Sequence, residues 1–303
     1  MLVDFHTHLD QYSPSVLRAA IDCIRENKIL TVAASCDIAS WEKNLKIAQS
    51  ASDLIIPSFG VHPSYCAELP ENASEITTLL EPYLAQSPVI GEIGLDFFWE
   101  TKIPHEKQER VFRACLDHCE RNGKTAVIHT KGAEERICDI LRDFPHAKIV
   151  IHWYDGSEET FKTYLDRGYF QTFGCETRYS EHIRHLLALT PNELLLSETD
   201  NPTGEPWLCE KQGIASADNS PLLIRRVKRE GNCVGFNSAS HQSPCRTIRA
   251  SPFCFSSLPI FPATCPRLPC LEKCATRRIW RDFAFEAECP RFFRASLRFR
   301  LPY

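Results

Sequence analysis

Two histidines separated by one residue close the first apolar stretch of the chain, Asp4-Phe5-His6-Thr7-His8. On an extended segment side chains repeat every two residues, so His6 and His8 present both imidazoles to one face. The same kind of ending recurs. Later apolar runs finish as Gly91-Glu92-Ile93-Gly94-Leu95-Asp96, at His129, at His152 and at Glu198-Thr199-Asp200. Any one of these residues is an ordinary loop or core group. Jointly, four histidines (His6, His8, His129, His152) and two carboxylates (Glu92, Asp200) hold the same relative position at the ends of five apolar runs. Imidazole mixed with carboxylate is a donor set for Zn2+, Mn2+, Fe2+ or Co2+, and for Mg2+ through the carboxylates.

The elements that must position these groups alternate along the chain. Strand candidates are Leu2–His6, Leu30–Ser35, Leu54–Gly60, Val89–Leu95, Thr125–His129, Lys148–His152, Tyr169–Phe173 and Glu193–Ser197. Several are apolar nearly throughout, the pattern of strands buried on both faces. Between them run helical patterns. Ser13 stands where a cap is wanted, with Pro14 at the first position and Val16, Leu17, Ala20, Ile21 and Ile24 on one face. His105–Asn122 puts Val111, Phe112, Cys115, Leu116 and Cys119 on one stripe, and Gly123 suits the position just past the end. Further helical patterns span 133–143, 157–167 and 180–189. Eight such alternations predict an α/β fold, a (β/α)8 TIM barrel, with a doubly wound open sheet as the rival. A barrel would gather the polar strand ends at one mouth.

The 303 residues are 43% hydrophobic and 24% charged, with a net charge of −4, which excludes disordered and collagen-like classes and gives no overall polyanion-binding signal. No apolar run approaches the roughly 18 residues of a membrane span, and no signal peptide precedes Asp4. The average conceals two segments. Residues 1–230 hold 24 Lys+Arg against 35 Asp+Glu, whereas 231–303 hold 11 against 4. The later segment carries 7 of the 15 cysteines and 8 of the 20 prolines. Prolines 244, 252, 259, 262, 266 and 269 interrupt any regular element. The reading is a barrel domain over 1–230 and a poorly ordered Arg/Pro/Cys-rich tail over 231–303. A metal at Cys270-x-x-x-Cys274 or an Arg-rich nucleic-acid arm is disfavoured. The tail's abrupt start inside the helical pattern of Pro221–Glu230 reads as out-of-frame or readthrough sequence, which sequencing the encoding DNA would test. The eight scattered cysteines of the first segment read as buried thiols in a reducing cytoplasm.

DFHTHLD at 4–10, GVHP at 60–63, GEIGLD at 91–96, IHTK at 128–131, IHWYDGS at 151–157 and ETDNP at 198–202 resemble, in order, the TatD family of metal-dependent hydrolases. That family belongs to the amidohydrolase-like barrels. The resemblance covers roughly residues 1–228. It implies two divalent metal ions (Mg2+ or Mn2+, with Zn2+ an alternative). His6 and His8 would hold one and His129 and His152 the other, with Glu92 bridging and Asp200 completing the first site. It also implies deoxyribonuclease activity, often 3′→5′ exonuclease action on single-stranded DNA or another nucleic acid.

Two metals about 3.5–4 Å apart can activate a water and hold the attacking and leaving oxygens of a phosphodiester. Asp200 is assigned as ligand and general base, with Glu92 as the coupling carboxylate. His62 and Lys131 are candidate phosphate contacts. Trp153 and Tyr154 could stack a base, with packing at the rim the preferred reading. Asp96 and Glu198 read as residues that orient ligands. His105, His118, His146, His182, His185 and His241 are given no site role. Departures from the family pattern are Lys131 where arginine is frequent, Trp153-Tyr154 where Cys-Phe or Cys-Tyr is frequent, and the missing closing segment after strand eight. That loss would bare apolar barrel surface and lower stability by several kcal/mol at about 25 cal/mol per Å2. The rival functions are hydrolysis of a small amide or ester, or of an aminoacyl-tRNA ester, on the same barrel, and an inactive product with an aberrant C-terminus.

Overall fold

The computed structural model describes residues 2–213. Eight strands, β1 (Leu2–Thr7), β2 (Ile29–Ala34), β3 (Ile55–Phe59), β4 (Val89–Gly94), β5 (Thr125–His129), β6 (Lys148–Ile151), β7 (Phe170–Phe173) and β8 (Leu195–Ser197), pair in sequence order. Every pairing from β1–β2 to β7–β8 is parallel. At the remaining seam, Asp200 N donates to His6 O (2.9 Å) and His8 N to Asn201 O (2.7 Å) just beyond the strand ends. The Asp4 carboxylate accepts from Thr199 N (3.0 Å) and Thr199 Oγ1 (2.7 Å). The result is a nearly closed barrel, not the open sheet.

The barrel is wrapped by helices α1 (Pro14–Asn27), α2 (Ile38–Ser50), α3 (Ala73–Gln86), α4 (His105–Asn122), α5 (Glu134–Ile140), α6 (Glu158–Asp166), α7 (Glu181–Leu189) and α8 (Gly204–Gln212). α4 starts and stops as its sequence predicts, with Gly123 left-handed (φ 63°) at its end. Ser13 takes the extended conformation before α1 but caps nothing; its hydroxyl meets Ser15 Oγ instead. The periodicity did not reveal α2, α3 or α8. α2 opens with a capping box, Asp37 Oδ1 accepting from Ser40 N while Ser40 Oγ accepts from Asp37 N. Pro82 inside α3 masks that helix in the sequence. No described helix is long and apolar enough to cross a membrane. The sequence readings on Pro221–Glu230, the missing closing segment, the 231–303 tail, Cys270/Cys274 and His241 lie outside the described residues.

Strands buried on both faces explain the apolar runs. One face of the strands contributes Val3, Phe5, Leu30, Val32, Val89, Val127, Val150 and Leu196 to a single cluster, the barrel interior. The other face, including Ile90, Ile128 and Ile149, packs with α3 (Ile76, Leu80, Leu84) and α4 (Val111, Phe112, Cys115, Leu116). Along β5 and out of β6, the period of two carries the interior face from Val127 to His129 and from Val150 to His152. The pairing register shifts between Asp4 and Thr7 in β1 and between Ile90 and Ile93 in β4. Such irregularities re-aim side chains. They let β1 send Phe5 into the interior and still turn His6 and His8 to the mouth, and let β4 present Glu92 three residues after Val89. Gly94 ends β4 at φ 152°, where a Cβ would collide with His129 O, so β4 and β5 can close together only around glycine.

None of the eight cysteines of the described segment is in a disulfide; seven are buried and Cys36 is half-buried.

Candidate metal centre

Glu92 lies at the centre of the mouth and is buried. Its Oε2 is 3.4 Å from His6 Nε2 and 3.5 Å from His8 Nε2. Its Oε1 is 2.8 Å from His129 Nδ1, 3.7 Å from His152 Nε2 and 3.9 Å from His62 Nε2. Asp200 Oδ1 stands across from Glu92, 3.3 Å from His8 Nε2 and 3.6 Å from His6 Nε2. The six residues expected to bind metal therefore converge at one mouth. Donor atoms of His6, His8 and Glu92 lie within 4.8 Å of one another, as do those of His6, His152 and Asp200 and those of His62, Glu92 and His129.

The hydrogen bonds decide which ring nitrogens face inward. His152 Nδ1 is 2.6 Å from Glu198 Oε2, and His8 Nδ1 is 3.7 Å from Cys36 Sγ. Each ring turns Nδ1 outward and Nε2 to the mouth. The Glu198 carboxylate makes His152 Nδ1 the donor and leaves its Nε2 the lone pair. His8, disfavoured as a cation by burial, is raised in pKa by Cys36 and Asp200. His6 Nε2 lies only 3.2 Å from His8 Nε2, and the His6 ring stacks on His152 at 3.6 Å. Imidazole lone pairs brought together beside two carboxylates fit a shared cation, which removes their mutual repulsion. His129 differs, because Nδ1 meets Glu92 and Nε2 meets Asp96 Oδ2 at 3.1 Å. His62 also differs. Its Nδ1 accepts from Ser64 N at 3.2 Å, which leaves Nε2 carrying the proton. In that form His62 is a hydrogen-bond donor at the mouth and not a ligand, although it stands close to Glu92 and His129.

Charge follows from these contacts. Burial alone would raise the Glu92 pKa, but the facing His6 and His62 imidazoles and the hydrogen bond from His129 hold it well below the usual carboxylate range. Burial disfavours protonated His129, yet hydrogen bonds to Asp96 and Glu92 outweigh it and raise its pKa to about 9. Burial lowers His62 to about 3, keeping it neutral. Burial and the neighbouring His6 charge lower His152. Asp200, pushed up by burial, is held lower still by His8 and His152. Glu198 and the buried Glu176 behind it are both raised, chiefly by burial, with Glu198 adding its charge against Glu176. Glu198 accepts from His152 and Trp153, so the proton of this pair belongs on Glu176.

Other expected site residues are placed as follows. Asp96 reaches His129 with one oxygen and accepts the backbone N–H of Phe98, Trp99 and Glu100 with the other. Lys131 is largely buried, its Nζ 2.9 Å from Asp155 Oδ2 and 3.0 Å from Trp153 O. Trp153 is partly exposed, 6.2 Å from His152 in ring centroids, on left-handed backbone (φ 41°). Tyr154 cannot stack a base, since it is buried at 3% exposure with its hydroxyl donating to Ser157 O. Its ring packs on Phe161 and Tyr164, the apolar contact that overrides a rim position. His118 pairs with Glu81, His185 with Glu158, His182 with Gly156 O, and His105 stacks on Phe97, all apart from the ligands; His146 N meets Glu120. The sequence reading passed over Glu176 and Cys36. Neither has a motif; only the fold brings them beside Glu198 and His8.

The sequence profile of the TatD related DNase family matches residues 3–230. The chain belongs to this family. Among TatD-type relatives, a metal-dependent hydrolase of Methanocaldococcus jannaschii is 25% identical over 229 residues, covering 75% of this chain and 86% of that one. A protein of Erwinia tasmaniensis named 3′-5′ ssDNA/RNA exonuclease TatD is 31% identical over 198 residues, covering 62% and 74%. A human relative named as a deoxyribonuclease is 25% identical over 229 residues, covering 68% and 82%. The crystal structure of a TatD homologue from Escherichia coli shares the fold with a TM-score of 0.62 at 20% identity, covering 75% of this chain and 86% of that one. The chain is thus a metal-dependent hydrolase of the TatD family acting on ester bonds.

Proposed function

We propose that the protein is a nuclease that binds two divalent cations and cleaves phosphodiester bonds of single-stranded nucleic acid from the 3′ end. The observation that carries this reading is the Glu92 carboxylate ringed by five imidazoles, with Asp200 opposite. His6, His8, Glu92 and Asp200 would hold one cation; Glu92, His129 and His152 would hold the second. Bound there, Mg2+ or Mn2+ would supply Lewis acidity toward a phosphoryl oxygen and acidify a water. The chain's own residues do the rest. Asp200, ionised and the more solvent-accessible of the two central carboxylates, accepts the water's proton. Glu92 keeps its negative charge at every working pH and so holds the two halves of the site together. Neutral His62 offers its Nε2–H to a phosphate oxygen. Glu198 and Asp96 fix the rings of His152 and His129. The nucleic-acid names of the Erwinia and human relatives support the substrate class. Cysteines without disulfides among the described residues suit a reducing cytoplasm.

The test is a 5′-labelled single-stranded oligonucleotide incubated with Mg2+ or Mn2+. Stepwise shortening by the wild type, abolished in Asp200→Asn and Glu92→Gln, is expected. No cleavage by the wild type, or unchanged cleavage by both variants, refutes the reading. Hydrolysis of a small ester or amide alone would instead favour the non-nuclease reading.

A further inference from the structure

Phe98 and Trp99 are the most exposed large apolar side chains among the described residues, at 67% and 57%. They are adjacent, and they follow Asp96 on the loop that leaves β4 at the mouth. Exposed aromatics on a loose loop would mean little, but this loop is rigid. Asp96 Oδ1 accepts from Phe98 N (3.0 Å), Trp99 N (2.7 Å) and Glu100 N (3.3 Å). Gln108 Nε2 ties the carbonyls of Asp96, Glu100 and Ile103 to α4. Phe97 N donates to Lys131 O at 2.8 Å. The fold thus fixes two bare rings in place without burying them, which serves no purpose in stability.

What surrounds Trp99 indicates an occupant. Lys131 Nζ lies 5.8 Å from the Trp99 ring centroid and 5.8 Å from the Trp153 centroid. Trp153 directly follows His152, so this pair of indoles flanks a cation at the edge of the candidate centre. On its other side Trp99 meets the edge of Trp207 at 6.5 Å, and Trp207 Nε1 donates to Tyr179 Oη at 2.7 Å. A flat exposed ring, braced by Trp207 and held beside the candidate centre, is a surface on which a planar base can stack.

We infer that Trp99, with Trp153 across Lys131, is a stacking platform for an unpaired nucleobase of the substrate strand. The inference rests on the nuclease reading above and extends it to the base next to the cleaved bond. Inside a duplex both faces of a base are stacked on its neighbours, so the platform favours unstacked bases of single strands. Lys131, held by Asp155 and the Trp153 carbonyl, sets the spacing of the two rings, while the ligands hold the phosphate that reacts. Trp99 touches no ligand, so its loss weakens substrate binding and leaves the chemistry intact.

The test compares oligothymidylate with the same strand carrying an abasic tetrahydrofuran residue at its 3′-terminal positions. Fluorescence anisotropy in Mn2+ on the inactive Asp200→Asn background gives Kd, and cleavage by the active protein gives KM and kcat. Trp99→Ala should raise Kd and KM for the base-bearing strand about five-fold or more, with kcat kept, and leave the abasic strand unaffected. Trp99→Phe should restore most of the affinity. Equal loss on both strands, or no loss on either, overturns the platform while the nuclease reading stands. If the wild type itself cleaves no oligonucleotide, the nuclease reading fails first and the platform falls with it, a result visible before any Trp99 variant is made.

Discussion

Replacing Glu198 by glutamine probes how the barrel holds His152 without touching a ligand. The carboxylate uses both oxygens, Oε2 accepting from His152 Nδ1 at 2.6 Å and Oε1 from Trp153 N at 3.2 Å. Both donors are fixed, one by the ring that must keep Nε2 toward the mouth, the other by the backbone leaving β6. Glutamine brings one acceptor and one donor to a place that demands two acceptors. Either Trp153 N or His152 Nδ1 then faces an amide N–H, leaving one buried donor unmet at about 1–3 kcal/mol. The Trp153 N–H can turn partly to Thr172 Oγ1, already 3.3 Å away, so the cost falls near the lower end. The ring also loses a charged partner that raised its basicity, an effect that typically weakens metal binding about 10–100-fold. The Mn2+ concentration for half-maximal cleavage should rise by that factor in Glu198→Gln, with kcat at saturating Mn2+ much less affected. The melting temperature of the metal-free protein should fall by a few degrees. A half-saturating Mn2+ concentration within two-fold of wild type, beside an unchanged melting temperature, would mean that Glu198 does not position His152 or that His152 holds no metal.

Two further outcomes follow from the same geometry. Mn2+ at about a hundred times its Kd should stabilise the folded protein by roughly 2.7 kcal/mol, a shift seen in a thermal melt, reversed by EDTA and absent in Glu92→Gln. An equal shift in Glu92→Gln would place the ion elsewhere. Thr199→Val removes the 2.7 Å bond from Oγ1 to Asp4 and leaves a buried carboxylate oxygen short of a donor at the β8–β1 seam. The expected loss is about 1–3 kcal/mol by denaturant unfolding, and an unchanged midpoint would mean that the seam is held without this pair.

The ligand set was legible because a barrel strand spaces its chemistry by two and ends it at one mouth. His6 and His8 follow that rule, and His129 and His152 each come two residues after an interior valine. Glu92 is legible from its place at the end of an apolar run, but it breaks the period, standing three residues after Val89; the register shift in β4 supplies the reason. Cys36 has no motif and lies 28 residues from His8, so only the closed barrel reveals it. Glu198 reads from sequence as a residue that orients a ligand, but it lies 46 residues from His152, and only the closed barrel shows which ring it holds. For Tyr154 the sequence leaves stacking and packing both open; its ring turns back to Phe161 and Tyr164, contacts that no local motif reveals. His62 was read as a phosphate contact by position alone; the bond from Ser64 N to its Nδ1 is what gives it a donor at the mouth.

Asp96 joins the two functional proposals through its two oxygens. Oδ2 holds His129 at 3.1 Å, and Oδ1 gathers the N–H groups that set the Phe98–Trp99 turn. Hydrogen bonds from His129 and these backbone groups outweigh burial and lower its pKa to about 2, so the carboxylate stays charged toward both. A substitution at Asp96 would loosen the second cation site and the aromatic rim together, and the resulting loss of activity could not be divided between them. Trp99 hangs from the same turn through its backbone, and among the described residues its ring and cation contacts are Lys131, Phe98 and Trp207. Truncating that ring leaves the Asp96 bonds intact. It therefore separates recognition of the base from assembly of the metal centre, as no change at Asp96, His129 or Lys131 can.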